Sequence, residues 1–180
     1  MFGTRLPVVQ APMAGVQDAE LALAVSAAGG LGSLPCALLG AAALRSELER
    51  IRQAQPDGAV NVNFFCHTPP VPDAAREAAW RSSLLPYYRE LAVEPSPAAA
   101  AGGRESFSAQ TATLLAEFRP AVVSFHFGLP APELLAQVRS WGAKVISSAS
   151  TVEEGVWLQE RGVDAVIAQG LEAGVIAACS

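Results

Sequence analysis

Short apolar runs recur along this chain, and nearly every run is followed by a segment with the spacing of an amphipathic helix. Strands separated by helices at such short intervals pair in parallel, with right-handed crossovers. The sequence therefore predicts an α/β fold of about six parallel strands. The apolar runs that we interpret as strands are residues 8–9, 31–34, 60–65, 121–125, 144–148 and 164–168.

Helix boundaries are marked by capping residues. Asp18 precedes an apolar-periodic segment as an N-cap, and Gly29-Gly30 ends that segment. Thr151 and Glu154 have the spacing of a capping box, and Gly162 ends the helix that follows. These signals fix where the chain changes direction between strands.

The regular alternation is interrupted between residues 66 and 120. This region is rich in proline and contains a low-complexity run at 98–103. We interpret it as a lid-like excursion with helices near Asp73–Leu85 and Phe107–Phe118. Including this excursion, the whole chain, 1–180, is expected to form the N-terminal portion of a single domain.

Polar or unusual residues follow the predicted strands. They are Pro12-Met13, Asn63, His126, Ser148 and Gln169. Both a (β/α)8 barrel and a doubly wound sheet place ligands at this end of the strands. Since no GxGxxG motif follows the first strand, the pattern favours an incomplete (β/α)8 TIM barrel over a dinucleotide-binding fold.

The first strand and its loop form a candidate cofactor floor. Val8 and Val9 are predicted to be buried in a strand that breaks at Pro12, which has no N–H for a sheet. Gly15 can adopt backbone angles that other residues avoid. Such a small-residue loop lets the backbone approach a flat ligand, although an ordinary strand-to-helix turn has the same local pattern.

Charge and cysteine content exclude several functions. The net charge is −5 with no basic cluster, which argues against nucleic acid and anionic membranes as partners. No apolar run approaches the roughly 20 residues that cross a bilayer, and residues 1–5 lack a secretory signal.

Cys36, Cys66 and Cys179 include no CxxC pair, which argues against a disulfide framework or zinc site. We expect a cytoplasmic protein without a metal; the sequence carries no signal for oligomeric state.

Five motifs, in order from residue 10 to residue 174, resemble those of the flavin-dependent nitronate monooxygenases. This family was formerly called the 2-nitropropane dioxygenases. The same barrel serves FMN-dependent enoyl-acyl-carrier-protein reductases, which keeps that activity as an alternative. The motifs are QAPMAG at 10–15, AAGGLG at 27–32, NVNFFCH at 61–67, SFHFGLP at 124–130 and QGLEAG at 169–174.

The resemblance implies an FMN-binding barrel that oxidises alkyl nitronates, such as propionate 3-nitronate, with O₂. It implies that Asn63 hydrogen-bonds the flavin, for which a carboxamide has both donor and acceptor. It places His126 in the pocket wall as the candidate catalytic residue, an ordinary core histidine being the alternative. The cofactor set that it implies is Ala11, Pro12, Met13, Asn63, Ser148, Gln169, Gly170 and Gly174.

The match to the family motifs stops at Gly174. The resemblance implies a general-base histidine at the position of Ile176, and a hydrocarbon cannot abstract a proton. We interpret 175–180 as an aberrant tail, which a one-base deletion in the gene would produce. The barrel is then expected to be truncated after its sixth strand, with impaired activity. A non-catalytic remnant is a further alternative.

Overall fold

The structure, a computed structural model, describes residues 2–56, 58–69, 71–95 and 105–173. The chain divides into two compact units, one made of residues 1–67 and 104–180 and the other of residues 68–103. The first unit contains the sheet and the helix at 109–118. Only the first of the two helices predicted for the excursion lies in the second unit.

Strands and helices alternate along the described residues, and the five strands form one parallel sheet in the order of the chain. No helix in the part of the chain that the structure describes is long and apolar enough to cross a membrane. The elements are α1 (Ala19–Ala28), β1 (Gly32–Pro35), α2 (Ala41–Ala54), β2 (Val60–Phe65), α3 (Ala74–Glu90), α4 (Ala109–Phe118), β3 (Val122–His126), α5 (Pro132–Ser140), β4 (Lys144–Ala149), α6 (Val152–Glu160), β5 (Ala165–Ala168) and a 3₁₀ turn (Leu171–Ala173).

The first apolar run differs from its prediction. Val9 makes a single parallel bridge with Leu31, in which the Leu31 N–H donates to Val8 O at 2.8 Å. The side chains of Val8 and Val9 are 54% and 45% exposed, so the prediction that they are buried was wrong. The run lies at an edge of the sheet, where, within the described ranges, it pairs with the segment at Leu31.

The capping signals are confirmed. Asp18 Oδ1 accepts hydrogen bonds from the N–H groups of Glu20 and Leu21 at the start of α1. Thr151 and Glu154 form both bonds of the capping box at the start of α6. Local side-chain chemistry therefore places these helix starts where the sequence predicts them.

One face of the sheet is covered by helices. Alternate strand residues, which point to the same side, form this core with residues from α1, α2, α4 and α5. Burial of these apolar side chains is the main source of stability for a sheet of this kind. The strand residues in the core are Leu34, Val60, Val62, Phe64, Val123, Phe125 and Val145.

The opposite face of the sheet, here called the inner face, changes character along the strands. At the amino ends, Leu31, Val122 and Ile146 form a small apolar cluster against which Phe2 packs. Two positions further along β3 and β4, on the same face, stand Ser124 and Ser148. Along β3 and β4, the inner face therefore changes from apolar at the amino ends to polar toward the carboxyl ends.

Candidate functional site

Hydrogen bonds link polar side chains of neighbouring strands across the inner face. Each bond joins two adjacent strands, and these three polar pairs on the inner face are here called the inner polar row. The bonds are Asn61 Nδ2 to Ser33 Oγ (3.0 Å), Asn63 Nδ2 to Ser124 Oγ (2.9 Å) and the contact between Ser148 Oγ and His126 Nδ1 (2.5 Å).

Asn63 is buried in this row. Its amide nitrogen donates to Ser124 Oγ and is also 3.4 Å from Ser124 O, so it is used within the sheet. The predicted contact of Asn63 with a flavin would therefore use its oxygen and remains a prediction. Ser148, which the resemblance includes in the cofactor set, pairs with His126 in the structure.

Gln169 follows the last residue of β5. Its backbone N–H donates to Ala149 O at 2.9 Å, which holds it beside the end of β4. Its side-chain Oε1 is buried and has no hydrogen-bond partner among the residues that the structure describes. A buried acceptor without a donor costs about 1–3 kcal/mol. Gln169 therefore offers an acceptor to a ligand with an N–H group.

The loop at residues 11–13 is held by the side chain of Gln17, which was not among the predicted site residues. Gln17 Nε2 donates to Ala11 O at 3.0 Å, and Gln17 Oε1 accepts from the Met13 N–H at 3.1 Å. Gln10 donates to the same oxygen at 3.0 Å. The backbone of Ala11 and Met13 is thus fixed before any ligand binds. Pro12 lies between them; the predicted contact of this loop with a cofactor remains a prediction.

The remaining predicted cofactor residues follow β5. Gly170 comes directly after Gln169, and its carbonyl accepts from the Ala173 N–H at 3.1 Å. Gly174 lies outside the described residues, as do Ile176 and the predicted tail at 175–180.

An aromatic cluster stands at the carboxyl ends of β2 and β3. It consists of Phe65, His67, His126 and Phe127, with ring centroids between 4.6 and 6.2 Å apart. Phe127 has a φ of 65°, and Gly128 follows with a φ of 93°. Phe65 and Phe127 lie within the motifs at 61–67 and 124–130 but were not among the predicted site residues.

Burial makes the described cysteines poor candidates for nucleophiles. Burial raises the pKa of the Cys36 thiol far above its usual value, and it raises the pKa of Cys66 to about 12. Both side chains therefore stay protonated at neutral pH. Among the described residues, no group of three or more His, Cys, Asp or Glu side chains could hold a metal ion.

Comparisons with known proteins agree with the motifs. The model of the nitronate monooxygenase family matches residues 1–177. The nitronate monooxygenase of Paraburkholderia phytofirmans is 42% identical to this chain, and that of Pseudomonas aeruginosa is 43% identical. Each alignment covers 97% of this chain, but only 48% and 50% of the two relatives, respectively. The chain thus spans about half the length of these curated relatives.

Solved structures support the same fold. The nitroalkane oxidase from Streptomyces ansochromogenes matches with a TM-score of 0.78 and 35% identity over 94% of this chain and 48% of its own. FabK from Thermotoga maritima matches with a TM-score of 0.65 at 22% identity over 95% of this chain and 42% of its own, which shows the fold alone. The predicted fold class, part of a (β/α)8 barrel, is confirmed.

Proposed function

Because this chain belongs to the nitronate monooxygenase family, we propose that it takes part in the FMN-dependent oxidation of alkyl nitronates, such as propionate 3-nitronate, by O₂. The observation that carries the proposal is the buried acceptor Gln169 Oε1 at the end of β5. It stands at the end of the sheet where barrel enzymes bind ligands.

The residues present fit a flavin. The isoalloxazine ring has an N–H donor, and the Gln169 carboxamide supplies the acceptor that this donor needs. Gln169 and Asn63, together with the backbone at residues 11–13, would hold the ring. FMN, when bound, supplies the electron acceptor and the reactivity with O₂. The loop that Gln17 fixes would be ready for binding without further ordering.

A nitronate suits the side chains at this site better than a neutral nitroalkane. A nitronate is already deprotonated, so the protein needs to bind and orient it but not to remove a proton. His126 stands in the aromatic cluster at the ends of β2 and β3 and can donate a hydrogen bond to an anionic oxygen. Ile176, at the position where the resemblance implies a base, supports the same preference.

The proposal is tested by loading the chain with FMN, desalting it and recording the visible spectrum. We expect a retained flavin and O₂ uptake that depends on propionate 3-nitronate, with much slower uptake on the neutral nitro compound. A colourless product after desalting would contradict the proposal. NADH is added separately, because rapid flavin reduction by a nicotinamide would favour a reductase instead.

Replacement of Gln169 tests the acceptor itself. Gln169→Ala removes the carboxamide and should weaken FMN binding about 10-fold, the equivalent of one hydrogen bond of about 1.4 kcal/mol. Gln159→Ala is the matched control, because Gln159 is exposed on α6. Equal affinities of the two variants would show that Gln169 does not contact the cofactor.

A further inference from the structure

Two consecutive serines of β4 contact the segment that carries His126. Ser148 Oγ lies 2.5 Å from His126 Nδ1. Ser147 Oγ lies 3.1 Å from Phe125 O and 3.0 Å from Gly128 O, to which it donates. Because adjacent strand residues point to opposite faces, the two hydroxyls hold this segment from both sides of the sheet.

The burial of Ser148 favours its hydroxyl as the donor. Ser148 is 6% exposed, and within the described ranges the partner of its hydroxyl is His126 Nδ1. A buried hydroxyl needs an acceptor for its proton, and an imidazole nitrogen without hydrogen is one. A hydroxyl that donates to Nδ1 leaves the proton of the neutral ring on Nε2.

The backbone after His126 needs support, which Ser147 gives. Phe127 has a φ of 65°, and a residue with a side chain in this left-handed region costs about 1–2 kcal/mol. The two carbonyls that Ser147 contacts, those of Phe125 and Gly128, lie on either side of this residue. Ser147 thus stabilises the turn that directs the rings of His126 and Phe127.

We propose that Ser148 is a positioning residue that fixes His126 in the Nε2–H form, while Ser147 fixes the turn that follows. The consequence for catalysis rests on the proposed function: an imidazole held in this form presents an N–H donor, and a nitronate has an anionic oxygen to accept it. Ser148 then acts on the substrate through His126 and not by touching the flavin.

The chain has only two histidines, so the ring of His126 can be followed directly by ¹⁵N NMR. In the full chain at a pH where the ring is neutral, we expect protonated Nε2 and unprotonated Nδ1. Ser148→Ala should shift the Nδ1 signal and reduce the Nε2–H fraction by a measurable amount, whereas Ser148→Thr, which keeps the hydroxyl, should restore both. His67 is the internal reference, because its ring is near Ser106 and not Ser148.

Ser147→Ala separates the two roles. It should leave the His126 ring protonated on Nε2 but speed the exchange of the backbone amides of Phe127 and Gly128 at least several-fold. Unchanged exchange at both amides would contradict the role of Ser147.

The proposal for Ser148 is overturned if the wild-type ring carries its proton on Nδ1, or if Ser148→Ala leaves both ring nitrogens unchanged. The wild-type and Ser148→Thr spectra decide the question even if Ser148→Ala does not fold. None of these spectra requires flavin or turnover. A chain with the Ser148-dependent signal that retains no FMN would therefore support this inference and contradict the proposed function.

Discussion

At the scale of single residues, burial decides which side chains keep their usual chemistry. Cys66 stands at the end of β2, beside the aromatic cluster, yet burial raises the pKa of its thiol to about 12. Gln169 is also at a strand end, and its buried oxygen lacks a partner among the described residues. Position at the carboxyl end of a strand is thus not enough to make a residue functional. The effect of burial on the side chain, and the hydrogen-bond partners that it has there, matter equally.

The Cys66 thiol should react slowly with a disulfide reagent. With a pKa of about 12, about 10⁻⁴ of the thiol is ionised at pH 8, against roughly a quarter for an ordinary cysteine. In a Cys179→Ser background, we expect labelling of the folded chain to be at least 100-fold slower than labelling in urea. Equal rates in the two states would show that Cys66 is accessible and ionised.

The same shift gives a dependence of stability on pH. Since the pKa of each described thiol is higher in the folded chain than in the unfolded one, the unfolded state loses its protons first as pH rises. The contribution of the thiols is complete below about pH 8.5 and decreases from there toward pH 12. Urea unfolding at pH 8 and pH 10 measures it. Cys66→Ala should reduce the loss between these two pH values, and an unchanged loss would contradict this origin.

The side chain of Gln17 should stabilise the loop at residues 11–13. Gln17→Ala removes hydrogen bonds to Ala11 O and the Met13 N–H, and we expect the free energy of unfolding to fall by about 1–2 kcal/mol. Gln53→Ala, at an exposed position of α2, is the control and should change stability by less than about 0.5 kcal/mol. Similar losses from the two substitutions would contradict the role of Gln17.

At the scale of elements, the close approach of α1 to β1 depends on a missing side chain. A Cβ at Gly32 would lie 1.9 Å from Ala22 O, which is a backbone atom of the helix and cannot rotate away. Ala22 itself is completely buried. The glycine in the motif at 27–32 is therefore explained by packing of the helix on the strand.

Gly32→Ala should destabilise the fold strongly. The added methyl group forces α1 away from the sheet, and we expect a loss of about 3 kcal/mol or more. Gly155→Ala is the matched control, because a Cβ there meets nothing within 4 Å inside α6. That substitution should raise stability by about 0.5–1 kcal/mol. Thermal unfolding of both variants tests the pair, and losses of equal size would contradict the packing argument.

At the scale of the whole molecule, the described sheet has two edges with apolar side chains. On one edge Val8 and Val9 are exposed, and on the other Val166 of β5 is 38% exposed. Unpaired strand edges of this kind are sites of association between chains. The curated relatives that the chain matches are about twice its length.

The 180-residue chain, when expressed alone, should self-associate through its strand edges. Val166→Lys places a charge on β5 and should reduce association in sedimentation velocity. Val152→Lys adds the same charge on α6, at a more exposed position, and should have a smaller effect. A monomer at all concentrations, or equal effects of the two substitutions, would contradict association through the edge.

From β1 onward, the sequence by itself determined the order of strands and helices, because apolar periodicity and caps such as Asp18 and Thr151 act within a few residues of their own position. The first of the six predicted strands, at 8–9, forms only a single bridge. The sequence also determined the family, through motifs whose order along the chain is preserved. It identified His126 and Asn63 as candidates but not their partners, since those lie on other strands.

Only the tertiary structure decided those partners. Ser148 meets His126 because the parallel register of β3 and β4 brings their carboxyl ends together, and no local pattern encodes that register. The exposure of Val8 and Val9 was decided in the same way, since burial depends on what covers an edge and not on the residues in it. Local interactions fix each element, whereas the chemistry of the site depends on contacts between residues far apart in the chain.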